Sequence, residues 1–222
     1  MIGRRTAAVV LALLTATSSG CARAIEGTAT WPGARLQAAL LTPADFPPGV
    51  QYGRITDAPG AADGEGGPPP MPSHPEGCTD GLTRVIAESA ERGAGAAAKY
   101  VVAYDGARIV MTLVSWQLDL DGLAAVADRC ANFQTFFDPS SQGIPMTTTR
   151  LETSRPHALV YQQTMQLGTE RSSAFFSFEN IGPSALFAIA FPTPNPAVTA
   201  KATLPQTFLD LIVQQAQRLE LR

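Results

Sequence analysis

The sequence is short of charge, of histidine and of cysteine. Charged residues make up 16% of the 222 positions, against about 25% in an average soluble domain. There are two histidines, three cysteines and a formal charge of −3. A weakly acidic chain lacks the basic face that nucleic acids require and the polybasic run that anionic lipid headgroups attract. We therefore expect no nucleic-acid partner.

The common catalytic and cofactor signatures are also missing. The sequence contains no GxxxxGK[ST], HExxH, GxSxG or SxxK. The letters GxGxxA occur at Gly93–Ala98, but they follow a predicted helix and precede a predicted strand, the reverse of the dinucleotide-binding order, so we interpret them as a flexible connector. His74 and His157 fall in or beside predicted loops, where solvated imidazoles are expected. We predict no catalytic residue, no metal site and no cofactor.

The N-terminus has the three zones of a secretory signal. Arg4 and Arg5 precede the apolar run AAVVLALLTA, and small residues then lead to Cys21. The run is too short to cross a bilayer as a helix, which takes roughly 20 residues. We predict that residues 1–20 are a signal peptide, whose removal leaves 14 basic and 19 acidic residues and a formal charge of −5.

The cleavage site has two interpretations. Ser18 to Cys21 resembles the bacterial lipobox, in which the cysteine thiol is acylated with diacylglycerol and becomes the new N-terminus, although Ser18 replaces the usual aliphatic residue. Alternatively, Ala22-Arg23-Ala24 is an A-x-A site, and cleavage after Ala24 releases a secreted protein without Cys21. We favour an extracytoplasmic lipoprotein, anchored to the membrane through Cys21, with residues 21–34 as its tether.

Two cysteines remain in the mature domain, Cys78 and Cys130. An even pair in an oxidising compartment predicts a disulfide. The bond would close a loop of about 52 residues and contribute roughly 4 kcal/mol in the chain-entropy account. The alternative is a pair of buried free thiols.

Residues 35–222 are predicted to form one domain. Asp105-Gly106 separates two apolar runs and predicts a two-residue hairpin turn, whose second strand is apolar on both faces and therefore central. The segment 58–75 is dense in Pro and Gly, has no hydrophobic period and is predicted to be a mobile loop. The predicted strands are Val50–Ile55, Ala98–Tyr104, Ala107–Trp116, Leu159–Leu167, Ala174–Ile181 and Ala185–Phe191.

Apolar residues at helical spacing indicate the remaining elements. The predicted helices are Cys78–Arg92, Asp121–Phe137 and Leu204–Leu219, with a helical turn at Thr42–Asp45. In the second of these, Cys130 lies on the apolar stripe. Together these elements predict an α+β fold, an antiparallel sheet of about five to six strands with flanking helices.

Phenylalanine is concentrated in the last predicted hairpin, at Phe175, Phe176, Phe178, Phe187 and Phe191. Ordinary core is the simpler interpretation. The alternative is that one face of this hairpin lines an apolar groove for a lipid or a protein partner.

Four stretches carry a resemblance to a known family. LLTPADFPPGV at 40–50, LDGLAAVADRCANF at 120–133, GPSALFAIAF at 182–191 and the closing helix look like mycobacterial cell-envelope lipoproteins, whose domain is similar to the extracellular sensor domain of the kinase PknH. The resemblance implies an antiparallel sheet with flanking helices, a surface cleft and stabilising disulfides. It carries over no catalytic residue.

Three classes of function are open on this evidence. The leading hypothesis is a non-catalytic, sensor-like domain that binds a ligand or an envelope protein. A carrier of an apolar ligand or lipid is the first alternative and needs a real cavity. A hydrolase with an unrecognised site is the second.

Overall fold

One antiparallel sheet of nine strands organises the domain. The computed structural model describes residues 32–56, 71–93 and 95–221. Across the sheet the spatial order is β1-β3-β4-β9-β8-β7-β6-β5-β2, and every neighbouring pair is antiparallel. The strands are β1 Gln51–Ile55, β2 Ser73–His74, β3 Ala97–Tyr104, β4 Ala107–Val114, β5 Asn132–Thr135, β6 Ile144–Arg150, β7 Leu159–Leu167, β8 Glu170–Ile181 and β9 Ser184–Phe191.

Helices lie on both sides of this sheet. They are α1 Pro32–Ala39, α2 Arg84–Glu91, α3 Leu120–Arg129 and α4 Gln206–Glu220, with a short 3-10 turn at Pro43–Asp45. Helix α1 begins inside the last residues of the predicted tether. In the part of the chain that is described, none of the helices is long and apolar enough to cross a membrane.

The α+β class is confirmed, but the sheet is larger than predicted. Strand β6 was missed because its sequence, IPMTTTR, has few apolar residues to alternate. Strand β2 was missed because it falls within the Pro/Gly-rich segment 58–75. There Ser73 pairs with Thr135 and His74 with Gln134, so the end of that segment belongs to the sheet. Residues 58–70 of the segment lie outside the described residues.

The predicted helix Asp121–Phe137 is wrong in its second half. Helix α3 ends at Arg129, and the chain then forms β5, where Phe133 is buried by strand alternation rather than by helical spacing. Phe137 is 69% exposed. A period of 3.6 and a period of 2 place apolar residues at similar positions over so short a stretch, so the pattern could not distinguish them.

The helix predicted at Cys78–Arg92 begins later in the chain than expected. Residues 78–83 form turns, and α2 begins only at Arg84. The N-cap of α3 is Asp119, whose Oδ1 accepts a hydrogen bond of 2.9 Å from the backbone N–H of Gly122.

Both hairpins predicted from turn residues are confirmed, with positive φ at Gly106 and Gly182 as those turns require.

Helices α1 and α4 cover one face of the sheet, which we call the closed face. Helix α1 contacts β3, and α4 contacts β8 and β9. The buried residues between them form a continuous core that includes Leu36, Leu40, Tyr100, Val102, Ile109, Met111, Leu186, Phe208 and Ile212. Gln215 of α4 joins the two helices, because its Oε1 accepts from the N–H of Leu41 and its Nε2 donates to the carbonyl of Ala39.

Three ion pairs, made by two arginines, hold α4 and its neighbours on the closed face. The guanidinium of Arg155 donates two hydrogen bonds of 2.8 Å and one of 2.6 Å to the buried carboxylate of Glu179, and one of 2.6 Å to Glu220. Arg218 binds Asp45 at 2.7 Å. Burial opposes the ionisation of Asp45, but hydrogen bonds from Thr42 and the charge of Arg218 lower its pKa below the usual range.

Helices α2 and α3 cover only part of the second face. Helix α3 contacts β6, β7 and β8. The core under these helices includes Leu82, Val85, Val114, Phe178, Ala185 and Phe187. Towards the opposite end of β3 and β4, the residues around Gly53, Val101, Ala103 and Arg108 that line the surface all belong to strands or to the segment after β9, and none to a described helix. We call this region the open half.

Candidate functional site

A cleft of about 390 Å³ opens on the open half. It lies between the edge strand β1 and the segment that follows β9. The cleft is lined by Gln51, Tyr52, Gly53, Val101, Ala103, Tyr104, Arg108, Thr193 and Asn195. Its volume lies within the range of small-molecule sites, roughly 300–1,000 Å³.

Small residues form the floor of the cleft. Gly53 pairs with Val101, and Gln51 pairs with Ala103, so these side chains project from the same face of β1 and β3. Because Gly53 has no side chain, the floor lies at the level of the backbone. A Cβ at this position would meet the Cγ1 of Val101 at 3.5 Å, an ordinary contact. The depth of the cleft therefore depends on a glycine that the backbone itself does not require.

The wall of the cleft lies beside the turn between β3 and β4, which hydrogen bonds hold against the segment 193–202. The backbone of Asp105 donates to the carbonyl of Ala200 at 2.8 Å and accepts from the N–H of Ala202 at 2.9 Å. Its carboxylate accepts from the N–H of Asn195 at 3.0 Å. Gly106 has φ of 102°, and a Cβ there would lie 2.8 Å from the carbonyl oxygen of Ala202. Substitution of this glycine would therefore separate the turn from the segment that holds it.

A second glycine brings β1 against the same segment. Gly49 has φ of 92°, and a Cβ at this position would collide with the hydroxyl of Thr199. The residues just before β1, the turn between β3 and β4, and the segment 193–202 are thus held together by backbone contacts. The cleft between them is preformed rather than dependent on side-chain movement.

Two side chains of the cleft, those of Arg108 and Asn195, offer hydrogen-bond donors. Arg108 is exposed and is the one charged residue among those that line the cleft. The Oδ1 of Asn195 already accepts from the N–H of Ala197 at 3.3 Å, which leaves its NH2 group available. The site can thus bind and orient a molecule that offers acceptors.

Two further clefts are less suited to a ligand. A cleft of about 210 Å³ lies between α2 and α3, where Glu88 already pairs with Arg92 and Asp119 caps α3. Another, of about 290 Å³, lies between α4 and residues 152–154. Both are smaller than the cleft on the open half.

The structure joins the two cysteines of the mature domain. Cys78 and Cys130 form a disulfide with a Cα–Cα distance of 5.5 Å, and both are buried. The bond ties the turns before α2 to the C-terminal end of α3, with Phe133 packed beside it. The guanidinium of Arg129 braces the same turns through a 2.7 Å hydrogen bond to the carbonyl of Glu76. The third predicted site residue, Cys21, lies outside the described residues.

The histidines and the aromatic hairpin have ordinary surroundings. His74 and His157 are both exposed. Within residues 32–56, 71–93 and 95–221, no group of three His, Cys, Asp or Glu side chains could hold a metal ion. Four of the five hairpin phenylalanines are buried, in agreement with the core interpretation, and the rings of Phe178 and Phe187 stack at 5.3 Å. Phe191 is 41% exposed and pairs in register with Arg108.

Sequence reasoning did not find the cleft. Its residues come from β1, β3, β4 and the segment after β9, which are far apart in the chain. The available signal was Gly53 inside a predicted strand, since a strand glycine often marks a place where another molecule or chain segment approaches closely.

Comparison with known proteins adds little to this description. No protein-family model matches the chain, and no curated protein matches its sequence. The crystal structure of an uncharacterised protein from Mycobacterium smegmatis, the Rv0999 ortholog, is similar with a TM-score of 0.42 and 10% identity, over 86% of this chain and 96% of that one. A likeness this weak carries no argument about function, and the PknH-like family stays a prediction.

Proposed function

We propose that this protein is an exported cell-envelope lipoprotein whose domain binds a small ligand, without catalysis, in the cleft on the open half. The observation that carries the proposal is the preformed cleft itself. It combines a floor at backbone level, a wall fixed by backbone hydrogen bonds and a rim that carries Arg108 and Asn195. Such a site binds without reorganisation, which lowers the entropic cost of association.

A ligand in this cleft would be held by a wall built from three separate parts of the chain. The lining residues come from β1, from the hairpin of β3 and β4, and from residues 193–195. This arrangement suits a sensor-like role, because a bound ligand would contact all three segments at once. The cleft is open to solvent and modest in volume, so it supports a small ligand better than the carrier alternative, which needs an enclosed cavity for an acyl chain.

Filling the floor of the cleft tests the binding function. We expect wild-type protein, purified from its own envelope and analysed by native mass spectrometry, to carry a small-molecule mass. Gly53→Val should remove that mass without lowering the melting temperature, because valine favours strands and its Cβ meets only an ordinary contact. Thr149→Val is the matched control, since it places the same side chain on the exposed part of β6, outside the cleft. Equal recovery of the ligand from all three proteins would refute the proposal.

Anchoring is tested separately at Cys21. We propose that the mature protein is held in the extracytoplasmic membrane by acyl chains on this cysteine, because two chains give stable attachment where one is marginal. Cys21→Ala should move the protein from the membrane to the soluble fraction. An unchanged membrane fraction would contradict the lipoprotein assignment and leave the binding test unaffected.

A further inference from the structure

We propose that the ligand of the cleft carries a carboxylate or phosphate group, bound by Arg108, next to a flat apolar part that lies on the floor. This inference rests on the proposed function, since it names the ligand class of the same cleft. Arg108 stands on β4 directly opposite Ala103 of β3, so its side chain projects from the floor among small neighbours.

Within the described part of the chain, no acidic side chain forms an ion pair with Arg108. The residues that line the cleft contain no carboxylate. Asp105 is the acid nearest in sequence, and one of its oxygens is already bound to the backbone N–H of Asn195. A guanidinium in this setting is suited to a planar oxyanion, with which it forms two parallel hydrogen bonds.

The second donor of the rim is also suited to an oxyanion. The amide of Asn195 has its oxygen occupied by the N–H of Ala197, so its NH2 group is the part that can bind a ligand. Arg108 and Asn195 both line the cleft and both present N–H groups. A cationic ligand would be repelled by Arg108.

The floor of the cleft indicates the chemistry of the rest of the ligand. Gly53, Val101 and Ala103 are half-buried and present little side chain above the pleated backbone. A flat apolar group adjacent to the oxyanion would bury this surface, and the cleft volume of about 390 Å³ limits the ligand to a small molecule.

Three aromatic probes of similar size test the assignment. The purified protein is titrated with benzoate, phenyl phosphate and benzyl alcohol, and binding is followed through the backbone amide signals of Gly53, Val101 and Ala103. We expect at least one of the two anions to bind about tenfold more tightly than the neutral alcohol, because a charge-assisted pair is stronger than a neutral hydrogen bond. The preferred anion distinguishes a carboxylate ligand from a phosphate ligand. Added salt should weaken anion binding and leave the alcohol unchanged.

Two variants test whether Arg108 causes the preference for anions. Arg108→Gln should reduce the affinity for the anions about tenfold, to the level of benzyl alcohol, while the melting temperature stays unchanged because the side chain is exposed. Arg54→Gln is the matched control. Arg54 is an exposed arginine of β1, on the opposite face of the sheet, where its guanidinium donates to the side chain of Gln37. This variant should bind all three probes as the wild type does.

The outcomes separate the two proposals. If both anions bind no better than benzyl alcohol, or if Arg108→Gln leaves their affinity unchanged, the oxyanion assignment is overturned. The proposed function survives that result provided Gly53→Val still removes the co-purified mass. If the amide changes lie outside the cleft, the oxyanion assignment also fails. If Gly53→Val alters neither probe binding nor the co-purified mass, both proposals fall.

Discussion

Neighbouring residues of the same strands meet different surroundings on the two faces of the sheet. Val102 and Ile109 are completely buried in the core formed with α1 and α4, whereas Val101 and Val110 are only half-buried on the second face. The closed face is completed by closely packed apolar side chains and three ion pairs. The open half ends in a cleft bounded by backbone. The comparison indicates that stability resides mainly on the closed face, and that the open half can vary without loss of the fold.

The largest expected difference lies between two phenylalanines, one on each face. Phe208 of α4 is fully buried and its ring lies 6.3 Å from that of Phe175. We expect Phe208→Ala to lower the free energy of unfolding by about 3–5 kcal/mol, because it removes buried surface and leaves a cavity. Phe191→Ala on the open half should cost less than about 1 kcal/mol. Urea unfolding measures both, and equal losses would remove the distinction between the faces.

The disulfide tests the covered part of the second face. Replacement of both Cys78 and Cys130 by Ala should lower the free energy of unfolding by about 2–4 kcal/mol, since the bond constrains the unfolded chain. The sheet and the closed face do not contain the bond, so a folded α+β domain should remain. Circular dichroism and thermal unfolding give the two readouts. Complete loss of structure would show that the second face contributes more to stability than the comparison allows.

The ion pair at Arg155 comes next in magnitude. Arg155→Ala should destabilise the domain by about 2 kcal/mol, because it leaves the buried carboxylate of Glu179 without its charged partner, while the partial exposure of Arg155 keeps the effect below that of a fully buried pair. Glu88→Ala provides the matched control. It breaks an exposed pair with Arg92 and should cost less than about 0.5 kcal/mol. Similar values for the two variants, measured by urea unfolding, would contradict this reasoning.

The smallest expected effect depends on pH. The pKa of Asp45 is lowered in the folded protein, so its ionised form contributes stability that is present above the ordinary Asp pKa of about 3.9 and is lost as the pH falls through the folded value. Asp45→Asn should be about 1 kcal/mol less stable than wild type at neutral pH. That difference should shrink once the pH drops below about 4. A difference that stays constant down to strongly acid pH would exclude Asp45 as its source.

Turn chemistry made part of the sheet predictable. Asp105-Gly106 and Gly182-Pro183 are turn residues between apolar runs, and both hairpins formed as predicted. Strands β5 and β6 could not be recognised in the same way. Phe133 had been placed on a helix, and three consecutive threonines conceal the alternation of β6. Pairing with a neighbouring strand stabilises such segments, and that information lies elsewhere in the chain.

The cleft was beyond prediction for a related reason. Gly53, Arg108 and Asn195 give no joint signal in the sequence, because each is unremarkable among its own neighbours. The disulfide, in contrast, was predictable from the cysteine count alone, since only two cysteines remained in the mature domain.

By itself, the sequence determined the features that depend on residues close together in the chain. These are the α+β class, the hairpin turns, the apolar stripe of the closing helix and the central position of β4. Tertiary structure alone decided which face was completed and which was left open. Gln215 lies on the apolar stripe of α4 but reaches the backbone of Leu41, 174 residues away, and so fastens α4 to α1 over one face only. Local preferences cannot specify such a contact, because its free energy is gained only when both segments are already folded against the same sheet.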